Sequence, residues 1–228
     1  MTTAKPAARS HPSASSQALP DSLPVFPVDG VVLLPGGRLP LNIFEPRYLA
    51  MVEDALREYR MIGMIQPMET ATDILVPRLY GTGCAGRITA FSETEDGRFL
   101  ITLAGQCRFH VAEELTEDRG YRRIRPSWDD FLHDMGQESP ETAESVDRAA
   151  LLQALRGYLK IGRVEADWEA MSQAPVERLV SSLTMVCPFS SGEKQALLEA
   201  RTLEERSDLM TVLLRMATLD PHGDPPVH

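Results

Sequence analysis

VFPVDGVVLLPGGRLPLNIFEPRYLAMVEDAL, the stretch from Val25 to Leu56, changes character in its middle. Up to Phe44 it consists of short apolar runs broken by Pro and Gly, which suit strands and tight loops better than a helix. At Glu45 and Pro46 the period becomes helical. Proline fits the first turn, where the backbone N–H has no helical partner anyway, and Tyr48, Leu49, Val52, Ala55, Leu56 and Tyr59 then fall on one face. So one-sided a stripe must pack against strands, and the stretch predicts a helix interposed in a β-rich unit.

The surrounding sequence extends that reading. From Asp21 to about Phe131 the pattern is of short β-type runs. Gly83 to Glu93 and Arg98 to Leu103 flank Asp96-Gly97, whose tolerance of positive φ suits a hairpin turn. A second turn is expected near Gly105, leading into Cys107 to Val111, and a last strand over Tyr121 to Arg125. A small closed barrel would protect these strand edges. Between Arg125 and Arg148 lie seven acidic residues and no Lys or Arg, the composition of a solvated linker. Beyond it Val146, Ala149, Leu152, Leu155 and Leu159 repeat at helical spacing, with Gly162 as a stop. Three more helices are expected. Pro175 starts one that Pro188 limits, with Val176, Leu179, Val180 and Leu183 inward, and Ser190/Glu193 and Thr202/Glu205 are capping boxes for the other two. The last presents Leu209, Met210, Leu213 and Leu214 to a core. The division expected is a disordered tail (1–20), a β half (21–132), an acidic linker (133–145), a helical half (146–220) and a flexible tail (221–228).

With 228 residues and 43% hydrophobic content the chain can bury a substantial core. Its net charge of -10 opposes phosphate backbones and anionic membranes, so neither nucleic acid nor a lipid surface is an expected partner. No stretch approaches the roughly 20 apolar residues of a membrane span. The first 20 residues, rich in Ala, Ser and Pro, lack the apolar run of a signal peptide. Three cysteines, Cys84, Cys107 and Cys187, are odd in number and widely spaced, which fits reduced thiols and a cytoplasmic location.

Chemistry is hard to find. Lys5, Lys160 and Lys194 are the only lysines, and none is followed by Ser or Thr, so there is no G-x-x-x-x-G-K-[ST] phosphate loop. Lys160 and Lys194 fall on amphipathic helices, where a solvated lysine is the ordinary outcome rather than half of a Ser-Lys dyad. Asp129, Asp130, His133 and Asp134 form the one local cluster that could hold a metal or act in acid–base work as a hydrolase, against the simpler reading of a hydrated loop. His110 reads as a sheet residue, and Cys84 and Cys107 as buried thiols. No catalytic residue, cofactor or metal is expected. Arg119, Arg122, Arg123 and Arg125 could form a basic strip for RNA.

Large apolar residues in little regular structure are more informative. Leu39, Leu41, Ile43 and Phe44 can fill the bottom of the barrel and dock the Pro46 helix, or part of the set can stay outside with Met61, Met64 or Met68 as an adaptable apolar patch for extended or unfolded polypeptide.

Val25 to Leu56, with its I-F-E-x-R-Y core, resembles the opening of the Lon protease substrate-binding domain. Tyr80 to Arg108, YGTGCAGRITAFSETEDGRFLITLAGQCR, is similar to that domain's G-T, strand, D-G hairpin and G-x-x-R strand entry. YRRIRPSWDDF from Tyr121 resembles its closing strand, and EKQALLEA a helix of its α half. The resemblance implies an α+β fold: a PUA-like β-barrel with an interposed helix, followed by a C-terminal α-helical bundle. It further implies a stand-alone member lacking the ATPase and peptidase domains, binding unfolded or specific polypeptides, with Lon or another protease as a candidate partner. That would make it an adaptor or regulator of proteolysis. Phe44, Glu45, Arg47 and Tyr48 match the motif, with Glu45 and Arg47 expected to anchor the loop onto the barrel by hydrogen bonds. A PUA-like fold also keeps RNA binding as an alternative, and the oligomeric state stays open.

Overall fold

The computed structural model describes residues 19–68, 77–115, 119–136, 145–162 and 166–219. The expected tails at residues 1–18 and 221–228, and most of the expected linker, lie outside the described residues. Six strands come first: β1 (Leu23–Pro27), β2 (Arg38–Ile43), β3 (Met61–Ile65), β4 (Thr82–Glu93), β5 (Phe99–Leu115) and β6 (Arg122–Ser127), with α1 (Pro46–Arg57) between β2 and β3. A 3-10 helix, Asp129–Met135, ends this half. Helices α2 (Arg148–Gly162), α3 (Trp168–Gln173), α4 (Val176–Val186), α5 (Ser191–Glu199) and α6 (Leu203–Leu219) follow.

The strands form one mixed sheet in the order β2-β5-β4-β3-β1-β6, and β6 pairs back with the far end of β5. This circuit is possible because β5 is 17 residues long, enough for β2 at its start and β6 at its end. The β1–β3 pair is parallel and the others are antiparallel. One face of the sheet packs with α1 and the 32–34 loop around Leu33, Leu34, Met51, Val52, Ile62 and Leu103. On the opposite side Leu23, Val25, Met61, Ile65, Phe109 and Ile124 form a second cluster. The helices bury their own, including Leu151, Leu155, Val180, Met210 and Leu214.

Several local expectations meet the structure directly. Gly97 takes a φ of 78° in the hairpin between β4 and β5. Pro46 opens α1, Pro188 follows α4, and Ser190 and Glu193 form a reciprocal capping box on α5. Glu205 N–H also bonds the Thr202 hydroxyl at 3.1 Å. Tyr59, however, is not on the buried face of α1. The helix stops at Arg57, Arg60 turns the chain with a φ of 57°, and Met51 takes an inward place instead. Nor is there a turn at Gly105, because β5 continues through it, with a register shift against β4 between Gly105 and Cys107. Glycine is required there for another reason: the Leu34 backbone crosses so closely that a Cβ would collide with its carbonyl. Helix α3, six residues long with no buried side chain, lacked a periodic signal.

The β half and the helical half meet on buried polar groups. Arg108 on β5 forms an ion pair with Asp134 at 2.9 Å, lies 4.5 Å over the Phe131 ring, and donates to the carbonyls of Leu198 (3.1 Å) and Ala200 (2.5 Å) at the end of α5. Asp134, assigned to the linker from sequence, is therefore part of this joint. Gln66 donates to the Ser191 carbonyl (2.9 Å) and the Gln195 side chain (3.0 Å) and accepts from Gly30 N–H (3.1 Å). Lys194 is buried rather than solvated, donating to the Gly30 carbonyl at 2.8 Å. Burial pulls its ammonium pKa below the ordinary value.

Arg108→Met strands the Asp134 carboxylate in a dry site and is expected to cost about 3–5 kcal/mol. Urea unfolding measures this, and adding Asp134→Asn should recover part of the loss. An unchanged midpoint for the single variant contradicts the joint.

Candidate functional site

Strand alternation sorts the apolar candidates. Ile43, pointing into the sheet–helix core, is 2% exposed, whereas Phe44, one residue beyond the end of β2, is 61% exposed. Leu39 and Leu41 are half-buried against that core. Met61 and Met64 are 2% and 1% exposed, because β3 is covered on both faces and each methionine enters a different cluster. Ile43, Met61 and Met64 are thus core residues, buried rather than part of an apolar surface patch. Met68, 47% exposed, lies beyond the end of β3, next to the Pro67–Leu79 bridge.

Sequence reading missed two other surface residues. Phe91 on β4 and Leu100 on β5 are 41% and 44% exposed. They line an open depression of about 580 Å³ with Pro40, Asn42, Ala90 and Thr102. The signal for Leu100 was present: Phe99, Ile101 and Leu103 claim one face of β5, so the residue between the first two must point the other way.

Glu45 and Arg47 bond each other at 2.8 Å on the surface rather than anchoring the loop to the sheet. The anchor is Tyr48, buried, with its ring 4.4 Å from that of Phe26 and the Arg47 guanidinium 4.6 Å above it.

The acidic cluster is divided. Asp134 is committed to Arg108, while Asp130 lies 3.2 Å from His110. His133 is 3.5 Å from Asp134. Among the described residues no group of three or more His, Cys, Asp or Glu could hold a metal ion. The basic strip is neutralised: Arg122 pairs with Glu114 (2.6 Å), Arg123 with Glu58 (2.7 Å), Arg125 with Glu113, and Arg119 with Asp54. A sheet row that alternates Arg with carboxylates offers little positive field to RNA. All three cysteines are free and buried, and burial pushes the thiols up, to about 12 for Cys107 and about 11 for Cys187. They stay protonated at neutral pH and are poor nucleophiles.

Asp54 joins α1 to the segment before β6 through the Tyr121 hydroxyl (2.9 Å) and Arg119. Burial pushes its carboxyl pKa up, but the Tyr121 hydrogen bond and the Arg119 charge outweigh it and hold the pKa below 3.8.

With this geometry in view, comparison with known proteins places the chain. The model of the ATP-dependent protease La (LON) substrate-binding domain matches residues 22–216, and the chain belongs to that family. Lon protease 2 of Myxococcus xanthus is 27% identical over 211 residues, covering 88% of this chain but 24% of that protein. The chain spans about a quarter of the length of the curated relatives it matches. Among solved structures, a Lon N-terminal domain protein from Xanthomonas campestris shares 26% identity at a TM-score of 0.57, covering 84% of this chain and 97% of the other. The N-terminal domain of Lon from the Mycobacterium avium complex superposes at a TM-score of 0.64 with 15% identity, over 85% of this chain and 97% of the other. The latter likeness is one of fold alone. The matched family is a substrate-binding domain, not the Lon peptidase domain, and among the described residues no helix is long and apolar enough to cross a membrane.

Two measurements test these placements. Ile43→Ala should cost about 2–5 kcal/mol and Phe44→Ala less than about 0.5 kcal/mol in denaturant unfolding, since only the first opens a cavity. Similar losses at both positions would contradict the assignment. A depressed carboxyl pKa stabilises above the unfolded value of 3.8 and loses that contribution as pH falls through the folded pKa. Asp54→Asn should therefore be destabilised at pH 7, with the gap to wild type closing below about pH 3.8; a gap constant across pH 3 to 7 would exclude this role.

Proposed function

We propose that the protein is a non-catalytic polypeptide-binding module that takes up unfolded or specific polypeptide segments on the apolar surface around Phe44 and Leu100, as an adaptor or regulator of proteolysis in the cytoplasm. The observation that carries this reading is the exposure of these two large side chains at one end of the β2–β5 sheet edge, in a chain of a substrate-binding family. Exposed aromatic and aliphatic groups lose unfavourable water contact when a partner's apolar side chains cover them. The circuit of strand pairings supports reading the β half as a PUA-like barrel, a rigid base from which this surface projects. A protease such as Lon is the partner to which captured chains would pass.

Binding of a fluorescent, permanently unfolded protein at micromolar concentration tests this. Phe44→Glu and Leu100→Glu should each weaken binding at least about tenfold, which is about 1.4 kcal/mol, with the unfolding midpoint nearly unchanged. Absence of binding by the wild type, or equal binding by both variants, rejects the proposal.

A further inference from the structure

Beyond the choice of surface, and resting on the reading just given, the geometry points to the mode of capture. We infer that the polypeptide adds as a β-strand along the free edge of β2, which selects extended segments carrying an apolar side chain and a carboxylate an even number of residues apart.

Strand β2 stands at the end of the sheet order and, among the described residues, pairs with β5 alone. The parity of the ladder shows which groups are left over. Gly105 N–H bonds the Gly37 carbonyl at 2.9 Å, and the register continues as Arg38 opposite Ala104 and Leu39 opposite Leu103. Alternation then turns the backbone groups of Leu39, Leu41 and Ile43 toward β5, and those of Arg38, Pro40 and Asn42 outward. The open edge therefore carries the carbonyls of Arg38, Pro40 and Asn42 and the N–H groups of Arg38 and Asn42. Pro40 has no N–H, and its place in the strand is the one that costs β5 no hydrogen bond. An extended chain is the partner that can satisfy such a row, because its own groups recur at the same two-residue interval.

Charge supplies the selection. Arg38 is exposed and makes no side-chain hydrogen bond or ion pair among the described residues. Across Ala104 on the same face stands Arg87, which donates to the Tyr59 carbonyl (3.2 Å) and the Met61 sulfur (3.8 Å) but meets no carboxylate, and whose Nε is buried without a partner. In a protein of net charge -10 whose other strand arginines are largely paired, this carboxylate-free row is complementary to an anionic side chain. At the other end of β2 the exposed Phe44 follows the strand, with Leu100 on the adjacent β5. Pro40, Thr102 and Ala90 form the row between the two ends on this face of the sheet, and among the described residues no other strand pairs with the β2 edge. A peptide side chain over Phe44 and a carboxylate at Arg38 project from the same face of the added strand, which demands an even spacing, about four to six residues.

Fluorescence anisotropy with ten-residue Thr/Ala peptides, each bearing one Phe and one Glu, tests the inference on the full chain. A spacing of six should bind at least about tenfold more tightly than a spacing of five, and than the same peptide with Gln for Glu. N-methylation of one alternate set of peptide amides should abolish binding, and of the other set change it less than about twofold. Arg38→Glu, an exposed substitution, should transfer the preference to a Lys peptide. Indifference to Glu against Gln, or equal effects of the two methylation patterns, overturns the strand-addition mode. If the unfolded protein still binds in a Phe44- and Leu100-dependent way, that failure belongs to this inference alone. If the wild type binds neither probe, the binding reading falls as well.

Discussion

A single buried guanidinium organises the joint between the two halves. Arg108 leaves the middle of the longest strand, and everything it touches belongs to another element: Asp134 and Phe131 in the 3-10 helix, and the last carbonyls of α5. A planar cation with five donors is well suited to this task, because the carboxylate takes one edge of the fork while helix-terminal carbonyls, with their partial negative charge, take the rest. Arg206 adds a second cation at the same helix end, donating to the carbonyls of Leu197 (2.9 Å) and, shared with Arg108, Ala200 (3.2 Å). With Gln66, Gln195 and Lys194 nearby, α5 is attached to the sheet chiefly through directional polar bonds. Such bonds are costly to break one at a time, and they hold the helices in one orientation relative to the strands.

That division of labour leaves the opposite end of the sheet free. Polar contacts, α1 and the 32–34 loop consume the apolar surface of β1, β3 and much of β4, but β2 and the β4–β5 hairpin extend beyond them. There Phe44, Phe91 and Leu100 remain in contact with water and β2 keeps an edge that no other described strand pairs with. A free edge ordinarily invites self-association, and Pro40 together with Arg38 limits it by removing a donor and adding like charge between copies.

The electrostatic pattern follows the same logic. Arginines that look like a basic strip when read along the chain face glutamates and aspartates of the neighbouring strand and helix, and their field is cancelled locally. Of Asp129, Asp130, His133 and Asp134, adjacent in sequence, the 3-10 helix turns Asp134 and His133 toward Arg108 and Asp130 toward His110. Proximity along the chain did not become a shared site in either case.

What the sequence by itself determined was local. The helix at Pro46, the Asp96-Gly97 turn, the stop at Pro188 and the capping box at Ser190 depend on dihedral preferences and on hydrogen bonds spanning a few residues, so neighbours suffice to set them. The order of strands followed by helices was legible for the same reason, as was the family resemblance carried by Val25 to Leu56. Only the tertiary structure decided which apolar and charged groups are left unsatisfied. Met61 and Met64 are buried because β3 is covered on both faces, Leu100 is exposed because no described element covers its side of β5, and position 105 must be glycine because the Leu34 carbonyl crosses it. Burial and pairing are properties of partners distant in sequence, and no window along the chain contains them.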